Sequence, residues 1–415
     1  MPYDTDTTDL AKVDLTDLDL WVDGPPHELF ARMRAESPVH RNPTADGPEF
    51  WSLTRGQDIT TVSQDTETFS SARGGIFLQP DALAALDFAR HFVIFKDQPE
   101  HSRYRDIVAK AFLPRNMHRL DEIIHDIVTD TLDTLTERGE ADLVTDVAVP
   151  IPLKVLGRLL GAPDEDTNQL LGWSDEIEAG ITHGRDVSES LQRMGTHLGK
   201  LVDEQVVHGV DSLAMSLANA EVEGEHLSEA EIAAYFGMLL YGGLGPIRNA
   251  ISVGMLALLR HPDQLALLRE SPNKLRSSRS GLAPIALEEI LRWTSPVNYF
   301  ARTATTDTMI NGVDIKTDDR VVMWYASANR DPDAFRDPDT FNVNRGTREL
   351  AHYAFGGGGP HRCQGSFLAI KTLSVALTEI IQRLPGIEQA GDITREPSAF
   401  IDRLTSLPVT FSSSS

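Results

Sequence analysis

The sequence contains a single cysteine, Cys363, among 415 residues. One cysteine cannot form an intramolecular disulfide, and it excludes zinc sites built from several cysteines. Without further information, a lone cysteine is most often a small buried side chain with no chemical role. The neighbours of Cys363 therefore decide whether it has a function.

Basic residues are also scarce, because 38 Lys and Arg stand against 62 Asp and Glu, for a formal net charge of −24. Cationic side chains neutralise nucleic-acid phosphates and anionic lipid headgroups, so this balance argues against nucleic acid and membrane as partners. The N-terminus lacks the features of a signal peptide. No apolar run reaches the roughly 18 residues of a membrane span. We expect a cytoplasmic monomer.

No linker rich in Pro, Gly or Ser divides the chain, which predicts one large domain. The 41% of hydrophobic residues is enough for a sizeable core. We expect a loosely ordered acidic N-terminus over residues 1–20, a single domain over 21–411 and a serine tail over 412–415.

The apolar patterns predict a mostly α protein with a minor β part. A hairpin is expected over 37–53, and helical periodicity runs through most of 100–270. Ser228-x-x-Glu231 is a capping box that predicts a long helix to about residue 259. The remaining predicted elements are helices over 285–293 and 367–383, strands over 299–306, 320–325 and 407–411, and an irregular stretch over 331–345.

The segment around the cysteine reads Phe355-Gly-Gly-Gly-Gly-Pro-His361-Arg-Cys363-Gln-Gly365. Glycines allow positive φ and a close approach of the backbone to a partner. A helix is predicted to begin immediately afterwards, and its free N–H groups would stabilise a thiolate. A thiolate held in this way is suited to a soft metal such as haem iron.

Other interpretations of this loop fit less well. A phosphate-binding loop ends in Gly-Lys-Ser/Thr, and a dinucleotide fingerprint needs a glycine where His361 stands. A Cys–His catalytic pair is disfavoured because His361 lies only two residues from Cys363 on the same turn.

The spacing Phe-Gly-x-Gly-x-x-His-x-Cys-x-Gly resembles the haem-binding loop of the cytochrome P450 family. The resemblance implies haem b, with Cys363 as the axial iron ligand and with Phe355 and Gly365 beside the cofactor. It covers about residues 20–411 and is similar to the bacterial soluble class. It implies a triangular prism fold, with a long central helix over the haem and the cysteine loop beneath it.

Two further segments carry the same resemblance. Glu289-Ile-Leu-Arg292 resembles the family's Glu-x-x-Arg helix, and Phe341-Asn-Val-Asn-Arg345 resembles the segment that supplies a second arginine. The resemblance implies a buried ionic triad of Glu289, Arg292 and Arg345. On its own, Glu-x-x-Arg is more often an exposed helical pair.

Four basic residues match family contacts to the haem propionates. His101 and Arg105 are four residues apart, which places them on one face of a helix. Arg302 and His361 match two further contacts. Taken singly, each of the four would be an ordinary surface group.

The central helix departs from the family pattern Ala/Gly-Gly-x-Asp/Glu-Thr. Gly242 and Gly243 match, but Gly245 stands at the acid and Pro246 at the threonine. The family uses these catalytic positions to deliver protons, and general acid catalysis is typically worth about 10²–10⁴ in rate. Pro246 also removes the hydrogen bond to the Gly242 carbonyl, and a kink is expected.

Four hypotheses follow from this departure. In the first, ordinary oxygenation takes its protons from the substrate or from ordered water. In the second, the enzyme uses peroxide. Some family peroxygenases carry proline here, but with an adjacent arginine, whereas here the neighbour is Gly245 and Arg248 is expected to face elsewhere. The reaction could also be oxidative coupling or cyclisation without oxygen insertion, or the chain could be a non-catalytic haem-binding protein.

The resemblance implies a substrate pocket for a small, mostly apolar molecule. A tailoring step in secondary metabolism is the favoured role, and steroid or fatty-acid hydroxylation is the alternative. Electrons are expected from NAD(P)H through a ferredoxin and its reductase, and residues 96–119, with six Lys or Arg against three Asp or Glu, are a candidate docking surface. The implied pocket residues are Ile76, Phe77, Leu78, Phe92, Leu239, Ile247, Val297, Asn298, Phe400 and Ile401.

Overall fold

The computed structural model describes most of the chain. The described residues are 7–45, 47–78, 91–111, 114–208, 221–222, 225–276, 284–346 and 351–412.

Helices dominate the described residues. They are α1 (His27–Glu36), α2 (Gly56–Gln64), α3 (Glu100–Ala111), α4 (Pro114–Thr136), α5 (Pro150–Leu160), α6 (Thr167–His183), α7 (Ser188–His208), α8 (Glu229–Arg260), α9 (Pro262–Glu270), α10 (Ile285–Thr294), α11 (Tyr325–Ala328) and α12 (Ser366–Arg383).

The strands are short and form a minor part of the fold. They are β1 (Val39–Asn42), β2 (Phe50–Leu53), β3 (Phe69–Ser70), β4 (Glu140–Asp142), β5 (Glu221–Val222), β6 (Glu225–His226), β7 (Tyr299–Ala304), β8 (Thr308–Ile310), β9 (Val313–Ile315), β10 (Arg320–Trp324), β11 (Glu388–Gln389), β12 (Thr394–Glu396), β13 (Arg403–Ser406) and β14 (Pro408–Thr410). The predicted mostly α fold with a minor β part is confirmed.

The largest sheet has the order β1-β2-β10-β7-β3. Strands β2 and β10 are parallel, and the other neighbours are antiparallel. At its centre, Val322 is paired with Ser52 on one side and Ala301 on the other. The predicted hairpin is β1–β2, and the sheet fixes β7 at the edge of the cavity described below. Smaller sheets pair β11-β14-β4, β12-β13, β5-β6 and β8-β9.

Helix α8 begins at the predicted capping box. The Ser228 hydroxyl accepts a hydrogen bond from the Glu231 N–H, and the Glu231 carboxylate accepts one from the Ser228 N–H at 2.8 Å. The other Glu231 oxygen accepts a hydrogen bond from the Tyr104 hydroxyl of α3. The helix continues through Pro246 to Arg260. The proline is thus accommodated within one continuous helix.

Helix α8 is the central element of the core. It packs against α5, α7, α10 and α12. In length and composition it is the one helix of the described residues that could cross a membrane, and most of its apolar stretch is buried inside the protein. Met255, Leu256, Ala257 and Leu258 are consecutive and so face different sides of the helix, and all four are buried, as expected for a helix surrounded by other helices.

The N-terminal segment differs from the loose order that we expected. Residues 10–12 and 18–21 form 3₁₀ turns, and the first is capped by the Asp9 carboxylate. Four apolar side chains anchor this polar segment to the core, since Leu10, Val13, Leu15 and Leu20 are all buried. Residues 1–6 lie outside the described part of the chain.

The structure brings the predicted ionic triad together. Glu289 Oε2 accepts hydrogen bonds from Nε of Arg292 at 2.7 Å and from Nε of Arg345 at 2.9 Å, and all three side chains are buried. The two guanidinium groups also donate to backbone carbonyls of the irregular segment that follows α11. Those carbonyls belong to Asn329, Arg336, Asp337, Pro338 and Thr340.

Removing the shared carboxylate should destabilise the fold strongly. Glu289→Ala leaves two buried guanidinium groups without their counter-charge, which typically costs about 3–5 kcal/mol. Urea unfolding of the apoprotein measures the loss. Glu189→Ala, which breaks an exposed pair with Arg193, is the matched control and should change little. Equal effects of the two substitutions would contradict the structural role of the triad.

Candidate functional site

The glycine run of the cysteine loop lies directly on helix α2. Gly356, Gly358 and Gly359 have φ values of 94°, 90° and 71°, which L side chains rarely adopt. A Cβ atom at Gly357 or Gly359 would overlap atoms of Ser63. Backbone conformation and close packing therefore both require glycine here.

Cys363 stands where the loop enters α12. Its backbone N–H donates to the Phe355 carbonyl at 2.9 Å, which closes the loop. Burial raises the pKa of the Cys363 thiol, and this effect outweighs the N–H groups of Gly365 and Ser366 and two nearby arginines, which lower it. The N–H groups at the start of α12 favour the Cys363 thiolate as predicted, but burial has the larger effect on the pKa of the thiol. A coordinated metal ion would deprotonate the thiol outright.

The Cys363 sulfur faces a cavity of about 220 Å³ between α8 and the cysteine loop. The side chain is solvent-accessible because it borders this cavity, although protein atoms surround it on its other sides. Ten of the eleven predicted catalytic and cofactor-binding residues line this cavity, as do three of the predicted pocket residues. Those that line the cavity are Gly242, Gly243, Pro246, His101, Arg105, Arg302, Phe355, His361, Cys363, Gly365, Leu239, Ile247 and Val297.

One edge of the cavity is basic. His101, Arg105, Arg302 and His361 all line it, and the rings of the two histidines are 4.0 Å apart between centroids. No Asp or Glu is found among the described lining residues. The four predicted propionate contacts are thus gathered at one place from α3, β7 and the cysteine loop.

The basic groups repel one another in this buried setting. Burial, followed by the charges of Arg105 and Arg302, lowers the pKa of His101 to about 4. Burial and the same charges, with His101, lower the pKa of His361 to about 2. Burial also lowers the pKa of Arg302. An anionic group at this edge would relieve the repulsion.

Unpaired polar atoms indicate the same kind of ligand. Arg302 is 3% exposed, donates to the Ala301 carbonyl at 2.7 Å and has no ion-pair partner among the described residues. Nδ1 of His361 is buried without a hydrogen-bond partner, while its Nε2 lies 3.3 Å from the Ser71 hydroxyl. A buried unpaired charge is costly.

These features fit a haem. Its two carboxylates would pair with the basic edge, its flat ring would fill the apolar space, and its iron would face Cys363. The described residues hold no group of three or more His, Cys, Asp or Glu suited to a metal ion. A metal at Cys363 would therefore need a cofactor such as haem to supply its other ligands.

Arg302→Met should have opposite effects on stability and on haem binding. Because the substitution removes a buried charge that lacks a counter-charge among the described residues, the apoprotein should be at least as stable as wild type. The affinity for haem should fall about tenfold, because a charged hydrogen bond to the cofactor is lost. Thermal unfolding of the apoprotein and haem titration measure the two effects.

Arg320→Met is the matched control, because Arg320 is also a buried arginine of the same sheet but donates to the carbonyls of Gly75 and Phe77. This control should lower apoprotein stability. Loss of stability without loss of haem affinity in Arg302→Met would contradict an anion site.

A second cavity of about 100 Å³ adjoins the first. Tyr241 is the only polar side chain among its described walls, and no charged side chain lines it. The predicted pocket residues that line it are Ile76, Phe77, Phe92, Val297, Phe400 and Ile401. The two cavities share six wall residues, which are Ile94, Met238, Gly242, Pro246, Val297 and Phe300.

Two predicted pocket residues do not line either cavity. The N–H of Leu78 donates to the Tyr299 hydroxyl at 3.2 Å. The side-chain amide of Asn298 is fully buried and has no hydrogen-bond partner, while its backbone bonds to Phe400 and Ala326. The structure therefore places no polar contact from Asn298 on the cavity surface.

Sequence reasoning missed several wall residues. Met238 precedes Gly242 and Pro246 at intervals of four, which is the spacing of one helical face. Phe300 precedes Arg302 by two positions on β7, the interval of one strand face. Both periodicities were available in the sequence. Ile94 follows a segment outside the described residues and had no such signal.

Gly245 lines neither cavity, and it faces a neighbouring helix. A Cβ atom on Gly245 would lie 3.2 Å from Oε2 of Glu178 on α6. Arg248 donates to both Glu178 oxygens at 2.9 Å and to Asp175 at 3.2 Å. Arg248 thus faces α6 and not the cavities.

Comparisons with known proteins indicate the family of this chain. A family profile described as Cytochrome P450 matches residues 185–385. The chain is 34% identical to a methyl-branched lipid omega-hydroxylase of Mycobacterium tuberculosis (strain H37Rv), over 97% of this chain and 95% of that protein. It is 32% identical to a steroid C26-monooxygenase of Rhodococcus jostii (strain RHA1), over 97% and 85%. The crystal structure of the bacillaene polyketide synthase cytochrome P450 PksS of Bacillus subtilis superposes with a TM-score of 0.86 at 30% identity, over 96% of this chain and 100% of that one.

Proposed function

Because this chain belongs to the cytochrome P450 family, we propose that it is a haem-thiolate monooxygenase that hydroxylates a largely apolar, lipid-like molecule. The observation that carries the proposal is the pair of adjoining cavities, which extends from Cys363 into a second cavity whose described walls carry no charged side chain. These described walls suit an elongated apolar molecule and offer no buried partner for a charged end.

Haem and dioxygen-dependent chemistry belong to the family. The Cys363 sulfur would bind the iron, and His101, Arg105, Arg302 and His361 would hold the propionates. When bound, haem supplies the redox chemistry that activates dioxygen, and a thiolate ligand favours cleavage of the O–O bond. The apolar residues of α8 and β7 would exclude bulk water and orient the substrate.

Cys363→Ser tests the iron ligand. The reduced wild-type protein with carbon monoxide should show the red-shifted Soret band that thiolate ligation produces. The serine variant should lose this band because its hydroxyl is a poor donor to iron. An unchanged spectrum would exclude Cys363 as the ligand.

The relatives support a lipid class of substrate. One is named for methyl-branched lipids and the other for steroids, and both are largely aliphatic molecules. In this chain, the second cavity ends in a cluster of aromatic side chains, with Phe77 and Phe400 in edge contact at 5.1 Å between ring centroids. An aliphatic chain or ring system fits such walls better than a polar molecule.

Val297 lies at the junction of the two cavities, so its size should control access from one to the other. Val297→Phe should weaken binding of long-chain fatty acids and steroids about tenfold, since an overfilled site typically costs about 1–3 kcal/mol. Binding is measured by the spin-state change of the haem.

Imidazole, which needs only the space beside the iron, should bind Val297→Phe as it binds wild type. Val297→Ala is the matched variant that keeps the junction open. Equal affinity of all three proteins for long-chain lipids would contradict a substrate passage here.

Tailoring in secondary metabolism is the second candidate function, and the likeness to PksS favours it. A panel of methyl-branched fatty acids, steroids and polyketides, analysed by product mass, separates the two roles. Peroxide-dependent oxidation of a carboxylate held by Arg248 is disfavoured, because Arg248 is already paired with Glu178 and Asp175.

Electrons would come from NAD(P)H through a ferredoxin and its reductase. Arg103 and Arg362 are exposed near the cysteine loop and would face an acidic carrier. Lys96, which belongs to the predicted docking surface, is instead buried and paired with Glu100 at 2.5 Å. Side chains of residues 107–119, which include the rest of this surface, lie outside the described part of the structure.

A further inference from the structure

Monooxygenation requires protons as well as electrons. One dioxygen, one C–H bond, two electrons and two protons give one alcohol and one water, so two protons must reach the cavity in each cycle. The described cavity walls contain no Asp or Glu. Their two histidines belong to the basic edge that would hold the carboxylates of the cofactor. A carboxylic acid that serves the described part of the cavity therefore lies behind its walls.

Glu178 is a buried carboxylate close behind the wall formed by α8. Its Oε2 lies 3.2 Å from the point where a Gly245 side chain would begin, and Cδ1 of Ile401, a wall residue of the second cavity, lies 3.4 Å from the same point. Glu178 is 3% exposed. Because Gly245 has no side chain, the carboxylate can reach the helix surface there.

A charged network connects Glu178 to solvent. Asp175, three residues earlier on α6, is 37% exposed and shares Arg248 and Arg403 with Glu178. Arg403 lies 2.9 Å from Asp175 and 3.5 Å from Glu178. Asp175, Glu396 and Arg403 line an open groove of about 460 Å³ on the outer side.

A buried hydroxyl lies on the inner side of this network. Tyr241 is one turn before Gly245 on α8, and its hydroxyl has no hydrogen-bond partner among the described residues. Its ring lines the second cavity. Burial and, next, the charge of Glu178 raise the pKa of Tyr241. A hydroxyl without a partner is able to accept a proton and to release its own.

We propose that Glu178 supplies protons to the cavity across Gly245 and replaces an acidic side chain on α8. The inference rests on the proposed monooxygenase function. In each transfer a proton passes from solvent to Asp175, then to Glu178, and then to the reacting oxygen, directly or through Tyr241. Glu178 returns to its ionised form, paired with Arg248.

Glu178→Gln keeps the size of the side chain and removes its acid. With a methyl-branched fatty acid as probe and electrons from a ferredoxin system, product formation should fall about 10²-fold, the range typical of a lost general acid. Electron consumption should fall together with product formation, because the release of hydrogen peroxide would itself need two protons. Turnover driven by added hydrogen peroxide, which brings its own two protons, should stay near that of wild type.

Two measurements do not depend on turnover. Glu178→Gln should lower the thermal midpoint of the apoprotein, because it removes a counter-charge of the buried Arg248, whereas Glu189→Gln, which makes the same change of charge on α7, should change it little. The affinity for the probe, measured by spin state, should be the same in both variants. A purely structural role of Glu178 would instead reduce probe affinity and would lower electron-driven and peroxide-driven turnover together.

Moving the carboxylate provides the decisive control. A glutamate at position 245 can reach the space that Glu178 occupies, close to Arg248. Glu178→Ala with Gly245→Glu should therefore recover most of the product formation that Glu178→Ala loses. Gly245→Glu alone would place two carboxylates side by side and should not improve on wild type.

The relay is overturned if Glu178→Gln forms product as wild type does, or if electron-driven and peroxide-driven turnover fall equally. It is also overturned if the protein with both Glu178→Ala and Gly245→Glu folds and binds the probe but does not recover product formation. Failure of the proposed function is distinct, because wild type itself would then yield no oxidised product from the panel.

Discussion

The carboxylate of Glu289 holds together the part of the molecule on which the cysteine loop depends. It accepts from Arg292 and Arg345, and those arginines in turn bind carbonyls of the irregular segment that follows α11. This segment has little secondary structure of its own, so its backbone groups find partners in side chains. The side-chain amide oxygen of Asn329 then accepts from the Tyr353 N–H, immediately before the glycine run. A series of hydrogen bonds thus links the buried carboxylate of Glu289 to Tyr353, in the segment that leads into the cysteine loop.

The cavity combines two environments that usually occur apart. Its basic edge has cations that lack counter-charges among the described residues, whereas its inner end is a set of apolar and aromatic side chains. The first environment suits an anionic cofactor and the second an apolar substrate. Helix α8 forms a wall of both, since Gly242 and Pro246 line both cavities. One helix therefore borders both environments.

Short-range sequence patterns predicted much of this structure. The capping box of α8, the β1–β2 hairpin and the glycine-rich cysteine loop depend on residues a few positions apart, and all three are visible in the sequence. The loop conformation is dictated locally, because Gly356, Gly358 and Gly359 adopt positive φ. Family resemblance extended the prediction to the basic residues around the cavity, which lie far apart in the chain.

Through-space relations could not be predicted in this way. Asn298 was expected in the pocket from the family resemblance, but adjacent residues near a strand start face different directions, and its amide is buried elsewhere. Gly245 and Glu178 lie close together although they belong to different helices and are 67 residues apart in sequence. Nothing local to Gly245 indicated that a carboxylate from α6 would approach it. The missing acid was visible in the sequence, whereas its surroundings required the structure.

Glu231 has a double role at the start of α8. One oxygen completes the capping box with Ser228, and the other accepts from Tyr104 of α3, the helix that also carries His101 and Arg105. One side chain therefore ties the first turn of the helix above the cavity to the helix at its basic edge. Helix α3 therefore cannot move away from α8 without breaking this contact, which lies at the end of α8 farthest from the proline.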